Sequence, residues 1–179
     1  MGIFDLFSLG KVPKVRAIQE PKTDIYSISL KTLDGETIDL SRFKGKKILF
    51  VNVASQCGLT PQYKGLQKLY EQEKEHLEII GLPCNQFLSQ EKGDAEQIQR
   101  FCNQNYGVSF TLTEKIKVKG DEQHPIYAWL TKRKNNGVID SRVKWNFQKY
   151  LINEDGALQA IFSPKTIPMS DEIIKAVNS

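Results

Sequence analysis

Cysteine and histidine are scarce in this sequence, at three and two among 179 residues. An odd number of widely separated cysteines, Cys57, Cys84 and Cys102, excludes a disulfide framework of the kind that staples small secreted domains. The same spacing gives no paired-ligand pattern, so no zinc or other metal site is expected. Long apolar runs are missing as well: no window approaches the roughly 20 residues of a membrane span. Charge of one sign is not in excess. Lys and Arg number 25 against 21 Asp and Glu, a net charge of +4, and they alternate along segments such as "YEQEKEHLEI". That is a solvated surface rather than a nucleic-acid interface. The opening "MGIFDLFSLGKVPKVR" has no basic residue ahead of its apolar stretch, which Asp5 interrupts, so it is a poor secretory signal. Leu6 stands where N-myristoylation needs Ser or Thr. A cytoplasmic protein is the expectation. There is no internal repeat, and the length suits one domain with a full core.

What is present reads as alternating strands and helices. Residues 1–25 carry four basic residues and two prolines, Pro13 and Pro21, and read as an N-terminal extension of unassigned role; residues 26–179 read as a single domain. "IYSISL" and "TIDL" flank Asp34-Gly35, a strong turn signal, and predict an N-terminal β-hairpin. "KKILFVNVA" is a nearly continuous, β-branched run, the pattern of a strand covered on both faces. Pro61 suits the start of a helix, with Tyr63, Leu66 and Tyr70 on one face. "LEIIGLP" is a second buried strand, completing a βαβ unit with a parallel pair. Asp94 with Gln97 forms a capping box for a helix whose inner face is Ile98, Phe101 and Cys102. "EKIKV" reads as a short strand. Pro125 begins a helix that Asn136-Gly137 ends, with Trp129 on its apolar stripe. "WNFQKYLINEDGALQAIF" reads as two strands, and Ser170 caps a last helix, "DEIIKAV". The order implies an α/β fold: a mixed central β-sheet flanked by helices.

Cys57 then sits at the carboxyl end of a parallel strand and the amino end of a helix, where open α/β sheets bind ligands. Unpaired N–H groups and the helix dipole favour a thiolate there, and the thiolate is the nucleophile. A buried cysteine acting as a small hydrophobe is the alternative. Cys57 opens a C-x-x-C spacing, but position 60 is threonine. A dithiol exchanger needs the second thiol to release mixed disulfides; a thiol that is itself oxidised by an electrophile does not.

"NVASQCGLT", "GLPCNQF", "FCNQNYGVSF" and "KWNFQKYLI" closely resemble the glutathione peroxidase family in its cysteine rather than selenocysteine form, over about Tyr26 to Val177. The resemblance implies a thioredoxin-like fold and a catalytic set of Cys57, Gln86, Trp145 and Asn146. Amide and indole N–H groups are neutral donors that can stabilise a sulfur anion without adding a titrating charge. The implied chemistry is reduction of hydrogen peroxide and organic or lipid hydroperoxides through a Cys57 sulfenic acid, then a disulfide. Cys102 is the implied resolving thiol, although it also shares the apolar face of Ile98 and Phe101 and would serve equally as core. A structural role is expected for Cys84. No cofactor is implied. The reductant is thioredoxin or glutathione, and only "LTKRKNNGVIDSRV" stands where tetrameric glutathione-using relatives carry a long insertion, which implies a monomer. A peroxide sensor passing its disulfide to a partner protein would use the same residues. His124 is expected to play a local structural role, and His76 to be on the surface. Because neighbours in a regular strand point to opposite faces, Trp145 and Asn146 can share a site only if their segment is a loop or an irregular strand start.

Overall fold

Strand β3, Lys47–Val53, is buried at every position, as a near-continuous apolar run requires. A computed structural model describes residues 20–179, and in it β3 is the middle of a five-stranded sheet of order β5-β4-β3-β6-β7. Its neighbours are β4, Leu77–Pro83, which runs parallel, and β6, Lys149–Ile152, which runs antiparallel. Beyond them lie β5, Thr111–Leu112, and β7, Leu158–Phe162. The period of two along β3 divides the core. Leu49, Val51 and Val53 join one apolar cluster, while Ile48 and Phe50 join another. The first cluster is completed by α1, Gln62–Glu73, α2, Ala95–Tyr106, and α5, Asp171–Val177. The second is completed by α3, Pro125–Thr131, and the N-terminal hairpin of β1, Leu30–Lys31, and β2, Thr37–Ile38. Helices thus cover both faces of a mixed sheet, as the element order implied.

Several boundaries differ from the sequence reading, each for a local reason. Ile25–Ser27 is a 3-10 turn rather than strand, because the Asp24 carboxylate accepts the Tyr26 N–H and competes with strand pairing. "EKIKV" forms no regular strand: the Glu114 N–H goes to Lys31 C=O and the Ile116 N–H to Pro83 C=O, two partners on different elements. The sheet edge is Thr111–Leu112 instead. The helix opened by Pro125 breaks at Lys132, which is extended, and resumes as α4, Arg133–Asn136, before the left-handed Gly137. The buried Asn136 amide fills the gap by donating to the carbonyls of Trp129 and Ile139. The capping box at Asp94 and Gln97 forms as the sequence indicates, and Ser170 caps α5. The extension read for residues 1–25 falls mostly outside the described residues; within its described part, Thr23 C=O accepts the Trp129 indole N–H and Ile25 is buried.

Lys149 begins β6 with its ammonium fully buried. It donates to Gln62 Oε1 at the start of α1 and to the carbonyls of Pro164 and Thr166, and among the described residues it has no ion-pair partner. It ties α1 to the β7–α5 connection. Burial lowers the amine to about 7, against about 10.4 in an unfolded chain. Between those values the unfolded chain binds more protons, so this group makes unfolding free energy rise with pH; below the window the penalty is at its full value. Relative to Lys149→Met, the wild type should therefore gain about 2 kcal/mol between about pH 7 and about pH 9 in urea denaturation. A difference that does not change with pH contradicts a charge-penalised amine.

Candidate active site

The β3–α1 connection carries Cys57, which is 8% exposed. Its sulfur accepts the Leu59 N–H at 3.4 Å, a donor that a thiolate uses better than a thiol. Pro61, in right-handed helical conformation, precedes the first residue of α1, so the sulfur lies at the carboxyl end of β3 and ahead of a helix N-terminus. Thr60 braces this loop. Its buried hydroxyl donates to Ala54 C=O at 2.8 Å and accepts the Cys57 N–H at 3.0 Å. A hydroxyl performs both roles well and a thiol performs both weakly, which gives threonine a positive reason to occupy position 60.

The 84–91 loop and the 145–147 turn flank this region. Trp145, Asn146 and Phe147 form a turn ahead of β6, with Phe147 left-handed at φ 66°. The segment is thus irregular, as a shared site for Trp145 and Asn146 requires. Asn52 of β3 clamps it: its Nδ2 donates to Trp145 C=O at 3.0 Å, and its own C=O accepts the Phe147 N–H at 2.6 Å. Asn146 is fully buried and donates from Nδ2 to Gln90 Oε1 at 2.9 Å, while its Oδ1 has no partner among the described residues. Trp145 packs against Phe87, ring centroids 5.4 Å apart, and against the cluster that contains Cys57. Gln86 is engaged elsewhere. Its Oε1 accepts the Val118 and Lys119 N–H groups and its Nε2 donates to Lys119 C=O. Among the described residues, no hydrogen bond joins Gln86, Trp145 or Asn146 to the Cys57 sulfur; the amide of Leu59 supplies the donor. Catalytic hydrogen bonds are often long or unformed before substrate binds.

Sequence reasoning missed Asn52 and Gln90. Asn52 was detectable as the one polar residue inside the apolar run "ILFVNV", where burial demands a partner. Gln90 carried no signal, because its role depends on the path of a loop in which Leu88 and Ser89 both adopt φ 52°.

All three thiols are free and buried. Cys57 and Cys102 belong to the same apolar cluster, whereas Cys84 belongs to the cluster on the opposite face of the sheet. Burial pushes the Cys102 thiol up to about 11, and the neighbouring Tyr63 hydroxyl offsets part of that rise. Burial also raises Cys84. His124 Nδ1 accepts the Ile126 N–H as the N-cap of α3, and His76 is exposed. Among the described residues no cluster of His, Cys, Asp or Glu could hold a metal ion, and no helix is long and apolar enough to cross a membrane.

The chain resembles known proteins over most of its length. The glutathione peroxidase family model matches residues 25–131. A glutathione peroxidase of Lactococcus lactis is 48% identical over 155 residues, covering 85% of this chain and 98% of the relative. A glutathione peroxidase-like peroxiredoxin of Chlamydomonas reinhardtii is 43% identical, covering 87% and 98% respectively. The crystal structure of Trgpx in apo form superposes with a TM-score of 0.67 at 37% identity, covering 88% of this chain and 97% of the other. The chain belongs to the glutathione peroxidase family in its cysteine form, with a thioredoxin-like fold, and is a peroxidase.

Proposed function

We propose that Cys57 is the nucleophile that reduces hydrogen peroxide and organic hydroperoxides, lipid hydroperoxides included. The observation that carries this reading is the Leu59 N–H aimed at the Cys57 sulfur beside a position 60 that holds no thiol. The thiolate attacks one peroxide oxygen, the O–O bond breaks, and the departing oxygen takes a proton to leave as water or an alcohol. The sulfur, oxidised by two electrons, becomes a sulfenic acid. Gln86, Trp145 and Asn146 serve as the neutral donors around the sulfur and the departing oxygen. The Trp145 indole N–H has no acceptor among the described residues, so it can be offered to substrate. Asn146 is held by Gln90, and Gln86 must exchange its bonds to Val118 and Lys119 to take part.

Cys102 then condenses with the sulfenic acid, and an external dithiol, thioredoxin in preference to glutathione, reduces the resulting disulfide by exchange. Two facts support Cys102 over Cys84: it shares the apolar cluster of Cys57, and Cys84 lies on the far face of the sheet. Disulfide geometry requires Cα atoms within about 7 Å; both thiols are free and Cys102 lies inside α2, and in this mechanism α2 shifts or unwinds as the bond forms. A protein reductant suits a monomer with an open site, and one close relative is named a peroxiredoxin.

In a peroxide-consumption assay, Cys57→Ser should abolish turnover with either donor. Cys102→Ser should block thioredoxin-driven cycling yet retain a single stoichiometric oxidation; normal cycling by that variant rules Cys102 out as resolver. Thr60→Val, which removes both hydroxyl bonds at constant shape, should lower unfolding free energy by about 1–3 kcal/mol and slow Cys57 oxidation, whereas Thr60→Ser should keep both near wild type. Equal stability and rate in Thr60→Val would show that the brace is dispensable.

A further inference from the structure

Leu88 lies in the loop beside the site, and among the described residues it is the more exposed of two exposed large apolar side chains, at 78%. Its backbone is left-handed, with φ 52°, and so is that of Ser89. Glycine, asparagine and aspartate take this conformation at little cost, because they lack a Cβ or carry a short polar side chain that bonds locally. Leucine does neither. The side chain at position 88 therefore opposes the turn that carries it and, being exposed, adds almost nothing to the core. Strain of this kind persists only where the surroundings enforce it, and it gathers at sites that bind or react.

The surroundings enforce it through several anchors. The Gln90 N–H donates to Phe87 C=O at 3.2 Å and closes a turn with Leu88 and Ser89 at its centre. Phe87 is buried against Trp145, ring centroids 5.4 Å apart, and the Lys119 ammonium lies 4.3 Å from its ring centroid. The Gln90 side chain accepts from Asn146 at 2.9 Å, and the Gln90 C=O accepts the Gln56 N–H at 3.0 Å. Gln56 is the residue before Cys57. The base of the turn is thus bonded to Asn146 and to the neighbour of the proposed nucleophile, and its tip carries Leu88. Half-buried Trp145 adds a second apolar side chain to this rim.

We infer that Leu88 is a specificity-determining residue: the hydrocarbon part of an organic hydroperoxide packs against Leu88 and the exposed part of Trp145 while its peroxide group meets the Cys57 sulfur. This deepens the proposed function and rests on Cys57 as the nucleophile. Removing hydrocarbon from water favours substrates that carry a chain, and hydrogen peroxide has none. One leucine and part of one indole cover far less than the roughly 800 Å² per partner of a stable protein interface. A small substrate suits them better than a protein.

The test measures second-order rate constants for Cys57 oxidation in the reduced full chain, by thiol blocking and mass spectrometry. The oxidants are hydrogen peroxide and linoleic acid hydroperoxide, the latter below its micellar concentration. The ratio of the lipid constant to the hydrogen peroxide constant should fall about tenfold in Leu88→Asn, a substitution that suits the left-handed turn. Leu88→Met, which keeps an apolar chain, should stay within about twofold of the wild-type ratio. So should Ser89→Gly, which relaxes the same turn and leaves the apolar contact in place. A wild-type ratio in Leu88→Asn overturns the inference. An equal fall in Ser89→Gly also overturns it, because the shape of the turn would then set the selectivity. An unchanged ratio in Leu88→Asn beside slower reduction of the oxidised chain by thioredoxin assigns Leu88 to the reductant and overturns it as well. A wild type in which neither hydroperoxide oxidises Cys57 overturns the proposed nucleophile and this inference together; oxidation of Cys57 with unaffected variant ratios overturns this inference alone.

Discussion

The site depends on where the burial of β3 stops. The strand is covered on both faces as far as Val53, and four residues later Cys57 is held by a loop that the Thr60 hydroxyl braces from within and the Ser55–Glu91 hydrogen bond ties to the 84–91 loop. That hydroxyl closes the turn between Ala54 and Cys57 and leaves the Leu59 N–H free to face the sulfur. A sulfur so held is a fixed target for a small electrophile, and it lacks the adjacent thiol that would let it act as a disulfide exchanger.

The period of two along β3 has a second consequence, because it sorts the thiols. Leu49, Val51 and Val53 point into the cluster that holds Cys57 and Cys102; Ile48 and Phe50 point into the one that holds Cys84. Cys84 belongs to the cluster on the other face of the sheet, whereas the proposed pairing of Cys57 with Cys102 stays on one face and asks only α2 to move. That helix is secured at both ends, by the Asp94–Gln97 box and by left-handed Gly107. Each cap contributes on the order of 1 kcal/mol, so the proposed movement of α2 would cost little cap stability.

Much of this is legible in the chain itself. Strand-length buried apolar runs, a C-x-x-T spacing and the capping signals at Asp94 and Ser170 are local codes, and local codes survive folding. The turn nature of Trp145–Asn146 follows once the family resemblance puts both residues on one site, because neighbours in a regular strand face apart. The features that stay hidden depend on partners distant in sequence. Asn52 clamps a turn 93 residues away, Gln90 holds Asn146 across 56 residues, and Gln86 turns toward the 118–119 backbone. Short edge elements mislead for the same reason: "EKIKV" has strand composition, but its successive donors find different partners.

Thiol mapping after one equivalent of hydroperoxide tests the central claim most directly. Differential alkylation and mass spectrometry of the wild-type chain should find Cys57 and Cys102 protected as a disulfide and Cys84 still a free thiol. Protection of Cys84, or a Cys57 that remains fully alkylatable while peroxide is consumed, would contradict the account.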